Sequence, residues 1–344
     1  MCIRDSFQHA VAPFDSPAQL RDVRQWLHDH LATIGATITS DLTYYRVRRF
    51  DMVAAFHTTS GMMYFKGGPR RMAHEAELTQ ALHALVPRHF PATLAFDAER
   101  HWWLTPSVPG RDLASEPASE DVWLAAIKLL ATAQRRAMTS RPVTAALTHR
   151  RFAATHCHAV ASRVRRMLAD GPFKEHWSED RLDTLEERLD TAIDRYFALA
   201  LPSTWTPAEF VGFNIFNDNG HVWFIGVEES YLAPPTLAVS RFFEDLRFRV
   251  RTPDAVIERL TDAYIEAWQD QIPADLLREA LAEAPACGLL FTLRSHLDRH
   301  ARHHGLWTSE GNGYPPNTEI HAEAHRLGIA VLPKAAVASS PAFA

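Results

Sequence analysis

The chain has 344 residues, 47% of them apolar and 22% charged, with a formal net charge of −5. That length holds two domains or one large two-lobed body. The charge balance excludes a basic surface for nucleic acid or anionic membranes, and no apolar run approaches the ~20 residues of a membrane span. The three cysteines, Cys2, Cys157 and Cys287, are an odd and scattered set. They argue against a disulfide framework or a Cys-based zinc site and point to a reducing cytoplasm. The first six residues, Met1–Ser6, lack the apolar core of a signal peptide. They read as a translated adapter scar and are left out of the fold argument.

Ser16 and Pro17 open a predicted helix from Pro17 to about Gly35, with Ser16 as N-cap and Leu20, Val23, Leu27 and Leu31 on one face. The period then changes. Leu42–Phe50, Met52–Thr58 and Met62–Lys66 are short β-rich segments, the last two joined by a Thr59-Ser60-Gly61 turn. After Gly67-Gly68-Pro69 a helix is expected from Arg71 to Leu85, then strands at Ala92–Phe96 and His101–Thr105. About five strands and one inserted helix make an α+β lobe over 16–106. Two prolines and a glycine within Pro106–Gly110 mark a connector.

Beyond it the pattern is mainly helical, over 107–308, with helices expected at Asp121–Met138, Thr148–Leu168, Glu179–Leu199, Leu237–Arg249, Asp254–Gln269, Ala274–Glu283 and Cys287–His304. The 309–344 tail is rich in Gly, Pro, Ala and Ser and reads as irregular. Within the helical part, Pro207–Glu229 reads as a loop and a hairpin, with Asp218-Asn219-Gly220 between two apolar runs. Small-molecule sites usually lie in clefts between such lobes.

Lys66 ends an apolar strand and Glu75 lies on the next helix. A strand lysine paired with a helix glutamate is how kinase-type folds hold nucleotide phosphates; the plainer reading is a solvated edge lysine and a glutamate at a helix start. His296, His300 and His304 fall at i, i+4 spacing, but no nearby Cys or carboxylate completes a metal set, so they read as a solvated helix face. His156-Cys157-His158 are helix neighbours that point apart.

The order of parts resembles the aminoglycoside phosphotransferase and choline kinase family: Phe65-Lys66, His74-Glu75-Ala76-Glu77-Leu78, Phe90-Pro91, His101-Trp102-Trp103-Leu104, Val108-Pro109-Gly110 and, in the following helix, Ala131–Gln134. The resemblance runs from about residue 20 to 270. It implies a bilobal protein-kinase-like fold, with a small lobe of antiparallel strands plus one helix and a large helical lobe carrying a catalytic-loop hairpin. It also implies transfer of the γ-phosphoryl of ATP, with Mg²⁺, to a small-molecule hydroxyl. Lys66 would hold the α- and β-phosphates, Glu75 would hold Lys66, and Thr105–Val108, with Ser107 among them, would receive the adenine.

The family's catalytic loop reads His-Gly-Asp-x-His-x-x-Asn, followed after a hairpin by Ile-Asp-Trp. Asn214-Ile215 set the register. Glu209 then stands at the catalytic Asp, Pro207 and Val211 at the two histidines, and Ile225-Gly226-Val227 at Ile-Asp-Trp. Asn214 keeps its identity as a weak magnesium ligand; Gly226 offers no carboxylate, and a metal there needs one. Glu228 or Asp218 could substitute, although Glu228 is displaced by a full step if the strand continues. The resemblance names a phosphotransferase. The substituted residues favour a pseudokinase or a weakened enzyme, a binding or regulatory module with room for a protein partner. The acceptor depends on helices after Pro235, where no motif speaks.

Overall fold

The change from helical to alternating periodicity near residue 42 is visible in the backbone. The computed structural model describes residues 14, 16–47, 51–68, 74–115, 118–171, 174–304, 324 and 327, without side chains for 248–249 and 298–304. The Met1–Ser6 segment, the Arg71 helix start and the expected irregular tail at 309–344, apart from 324 and 327, lie outside these residues. The chain divides into two compact units: 1–110 with 223–228, and 111–222 with 229–344.

In the first unit, helix α1 (Pro17–Thr33) starts at Ser16, whose hydroxyl accepts the Gln19 amide at 3.1 Å. Strands β1 (Thr43–Val47), β2 (Met52–Thr58) and β3 (Gly61–Gly67) precede helix α2 (His74–Leu85), then β4 (Ala95–Asp97) and β5 (Trp102–Pro106). They form one antiparallel sheet in the order β1-β2-β3-β5-β4. Strand alternation sorts β3: Met63 and Phe65 are buried, while Met62, Tyr64 and Lys66 point the other way and stay half-buried. On the buried face Phe14, Trp26, Phe65 and Trp102 make a T-shaped aromatic core, with Phe65 and Trp102 centroids 5.7 Å apart and Trp26 and Trp102 6.0 Å apart.

The second unit opens with β6 (Arg111–Asp112), followed by helices α3 (Glu120–Ala137), α4 (Arg141–Ala146), α5 (Ala154–Asp170) and α6 (Glu179–Ala198). Four short strands come next: β7 (Thr204–Pro207), β8 (Ile215–Asp218), β9 (His221–Phe224) and β10 (Ser230–Ala233). Helices α7 (Thr236–Asp245), α8 (Asp254–Trp268) and α9 (Ala274–His304) complete it. The division between the units passes within β9. Strands β6, β8 and β9 form one small sheet and β7 pairs with β10. The hairpin turn has Asn219 and Gly220 both at positive φ, 50° and 89°, the primed-turn geometry that Asn-Gly favours.

Several elements differ from the sequence reading. Thr148–Leu168 is not one helix: α5 begins at Ala154, because residues 150–152 run extended beside β10, with Leu232 N–H donating to Arg150 O and Phe152 N–H to Leu232 O. The two helices expected at Ala274–Glu283 and Cys287–His304 are one, with Pro285 inside it. Strands β7 and β10 lie where no element was expected. Beyond α7 the chain takes a wider π-helical turn, Leu246–Val250, ending at left-handed Arg251.

Gln134 ties this unit's interior together. It is fully buried, donates to Pro235 O at 3.1 Å and accepts the Tyr264 hydroxyl at 2.8 Å, while its backbone carbonyl accepts from the Thr204 hydroxyl. Cys157 and Cys287 are free thiols in the same core cluster. Among the described residues no helix is long and apolar enough to cross a membrane.

Candidate functional site

In the first unit, β3 and the first turn of α2 build a charged centre. Lys66 Nζ lies 2.5 Å from Glu75 Oε1, with the lysine side chain 25% exposed and the glutamate 3%. Burial works against the Lys66 ammonium, but Glu75 and then Glu228 outweigh it and hold its pKa above the ordinary lysine value. Burial, and after it the Glu228 charge, push the Glu75 carboxyl up to about 7, against the lowering effect of Lys66. One ammonium near two carboxylates can neutralise only one of them. His74 Nε2 is 2.8 Å from Glu228 O, so adjacent residues of one helical turn reach both Lys66 and residue 228.

Thr105, Ser107 and Val108 follow along β5 and the connector. Thr105 is buried and lies opposite Tyr64 in the β3–β5 register, and Ser107 N–H donates to Met62 O at 2.9 Å. Tyr64 shares the Lys66 face of β3. Its ring centroid is 6.0 Å from that of Tyr45. Burial and Tyr45 push the phenol up, against Lys66 and Ser107. Gly226 is half-buried at φ +66° in the segment after β9.

Glu209 and Asn214 belong to the second unit. Asn214 Nδ2 donates to the Glu209 backbone oxygen at 2.9 Å, which closes the loop between β7 and β8 on itself. The neck of that loop is held by Ala208 N–H donating to Glu229 O at 2.7 Å and by the pairing of Pro207 with Ser230. Arg150 secures the far side: Nη2 lies 3.0 Å from the buried Glu229 Oε2 and Nε donates to Ser230 O at 2.9 Å. A Cβ on Gly212 would sit 3.0 Å from the Ala114 backbone nitrogen, so the loop passes that segment closely enough that a side chain there would force a small shift. His296, on α9, brings its Nε2 to 4.0 Å from Glu209 Oε1.

The sequence picked out His296 only through its spacing with His300 and His304, whose side chains are outside the described residues. Its carboxylate neighbour comes from a distant loop, which no local pattern reveals. Arg150 carried no signal, since its partner follows β9. Asp218 accepts from Asn219 within the turn at 3.1 Å. Among the described residues no group of three His, Cys, Asp or Glu could hold a metal by itself.

No family model and no curated protein matches the sequence. Solved structures do match. A Plasmodium vivax ethanolamine kinase aligns with a TM-score of 0.58 at 11% identity, over 95% of this chain and 92% of its own. A choline/ethanolamine kinase family protein from Mesorhizobium loti aligns with a TM-score of 0.56 at 16% identity, over 93% and 96%. The chain has the kinase-like fold of these proteins. A spectinomycin phosphotransferase, solved with ADP and spectinomycin, aligns with a TM-score of 0.55 at 11% identity, over 89% and 98%. The expected α+β, kinase-like architecture therefore holds, including the five antiparallel strands with one inserted helix. At such low identity the likeness is one of fold; the side chains have to be judged on their own chemistry.

Proposed function

We propose that this kinase-like chain binds a nucleoside triphosphate through Lys66 and transfers its phosphoryl group slowly or not at all. The observation that carries the reading is the 2.5 Å contact between Lys66 and Glu75, which orients an ammonium on the strand face where phosphates would be met. Tyr64 and Tyr45 on the same face, with Thr105, Ser107 and Val108 beside them, suit a nucleobase. A structural neighbour holding ADP supports nucleotide as the ligand class. Against rapid transfer stand Gly226, with no carboxylate, and Glu209, one methylene longer than aspartate; an error of ~1 Å in placing a reacting group costs about a hundredfold in rate. Asn214, bonded to Glu209 O, is the remaining magnesium ligand of the inferred loop. A chain that binds without turning over would act through a protein partner, and its scattered cysteines suit a reducing cytoplasm.

A second reading, an active ATP-dependent phosphotransferase on a small-molecule hydroxyl, is favoured by the imidazole of His296 beside Glu209. A carboxylate–imidazole couple can take up a hydroxyl proton near neutral pH.

The test is a thermal-shift titration with ATP, with and without Mg²⁺, followed by γ-³²P transfer to a panel of amino-alcohols and aminoglycosides. ATP should raise the melting temperature of the wild type and leave that of Lys66→Met unchanged, with transfer at background. Rapid labelling of an acceptor would replace this reading by the second one, and absence of any nucleotide effect would sink both.

A further inference from the structure

The position that loses its carboxylate, 226, is followed two residues later by Glu228. Had the strand continued, Glu228 would lie a full step further along it. β9 ends at Phe224, however, and Gly226 takes a left-handed backbone, φ +66°. The chain turns instead of extending, and residue 228 is brought back to the first turn of α2. There His74 Nε2 holds its carbonyl at 2.8 Å, next in sequence to the Glu75 that holds Lys66 at 2.5 Å. The Glu228 charge is felt by both members of that pair. All these residues belong to the first unit.

We propose that Glu228 is the carboxylate that holds a divalent cation against the phosphates of a bound nucleoside triphosphate, at a site the sequence register assigns to residue 226. The inference rests on the nucleotide-binding reading given above. The donor chemistry fits magnesium, which keeps several waters and needs only one or two protein carboxylates when phosphate oxygens complete its shell. The protein supplies no three-ligand cage among the described residues, so the cation comes with the nucleotide rather than before it. Charge gives the same answer. A bare triphosphate entering beside the Glu228 carboxylate meets repulsion. A dication turns that repulsion into attraction.

The deciding measurement is isothermal titration of the full chain with ATP in EDTA and in Mg²⁺, for wild type and Glu228→Gln. Wild type should bind at least about tenfold more tightly with Mg²⁺, the size of one modest charge–charge interaction. Glu228→Gln should lose that magnesium dependence while binding metal-free ATP as well as wild type or better. Glu228→Ser carries the same comparison if the glutamine variant does not fold. Magnesium dependence surviving in the variant, or absent from the wild type, overturns the role of Glu228 and leaves nucleotide binding standing. If wild type binds ATP under neither condition, the nucleotide reading falls and this inference falls with it.

Discussion

Glu75→Gln offers a quantitative check on the charged centre. Glu75 is 3% exposed and its carboxyl is held at about 7, above the usual glutamate value of about 4.3, by burial first and Glu228 second. Between those two values the folded protein keeps a proton that the unfolded chain has released. Stability from this group is therefore fully present below about pH 4.3 and is lost as the pH rises through 7. The full displacement is worth roughly 3–4 kcal/mol, at 1.36 kcal/mol per unit. The stability of wild type minus that of Glu75→Gln, from urea unfolding, should be about 3 kcal/mol greater at pH 4.5 than at pH 8, since other titrating groups cancel in the difference. A ¹³C-carboxyl titration should show one midpoint near 7, moving down in Glu228→Gln because the second-largest cause is gone. A pH-independent difference, with no carboxyl titrating above about pH 5.5, would refute the account of a buried Glu75 raised by burial and the Glu228 charge.

Two further substitutions test how the loop between β7 and β8 is held. Arg150→Met removes the partner of the buried Glu229 carboxylate and should destabilise the protein by about 3–5 kcal/mol in urea unfolding; a cost near zero would show that the pair is dispensable. Gly212→Ala drives a Cβ against the Ala114 backbone and should cost about 1–3 kcal/mol. The same variant should broaden the Asn214 side-chain amide resonances as the bond to Glu209 O loosens, and an unperturbed Asn214 spectrum would count against the tight approach.

What was legible in the sequence follows from the range of the forces involved. The Asn219-Gly220 turn, the Ser16 cap and the strand ending near Lys66 are local, and they appear in the structure where the residues pointed. Pro285 misled because proline removes one helical donor, which normally ends a helix; here α9 continues through it. Strands β7 and β10 are four residues each and buried throughout, so they show no alternation to read. The delayed start of α5 is a tertiary effect, since residues 150–152 pair with β10 in preference to a helical conformation that their composition permits. The approach of Glu228 to α2 depended on the left-handed turn at Gly226, and that of His296 on the path of a whole helix. Neither is written in a local pattern.

The contribution of Trp223–Glu228 to the first unit bears on the order of events during synthesis. Phe224 N–H donates to His89 O, its ring packs on Phe90 at 5.7 Å, and Glu228 O meets His74. More than a hundred residues separate this segment from the rest of the first unit, so that unit remains unfinished on the ribosome until the hairpin has emerged. Domains generally fold as units from the N-terminus as the chain is made. In this chain the first unit is complete only once a late segment has emerged, and the Lys66–Glu75 centre meets Glu228 only then.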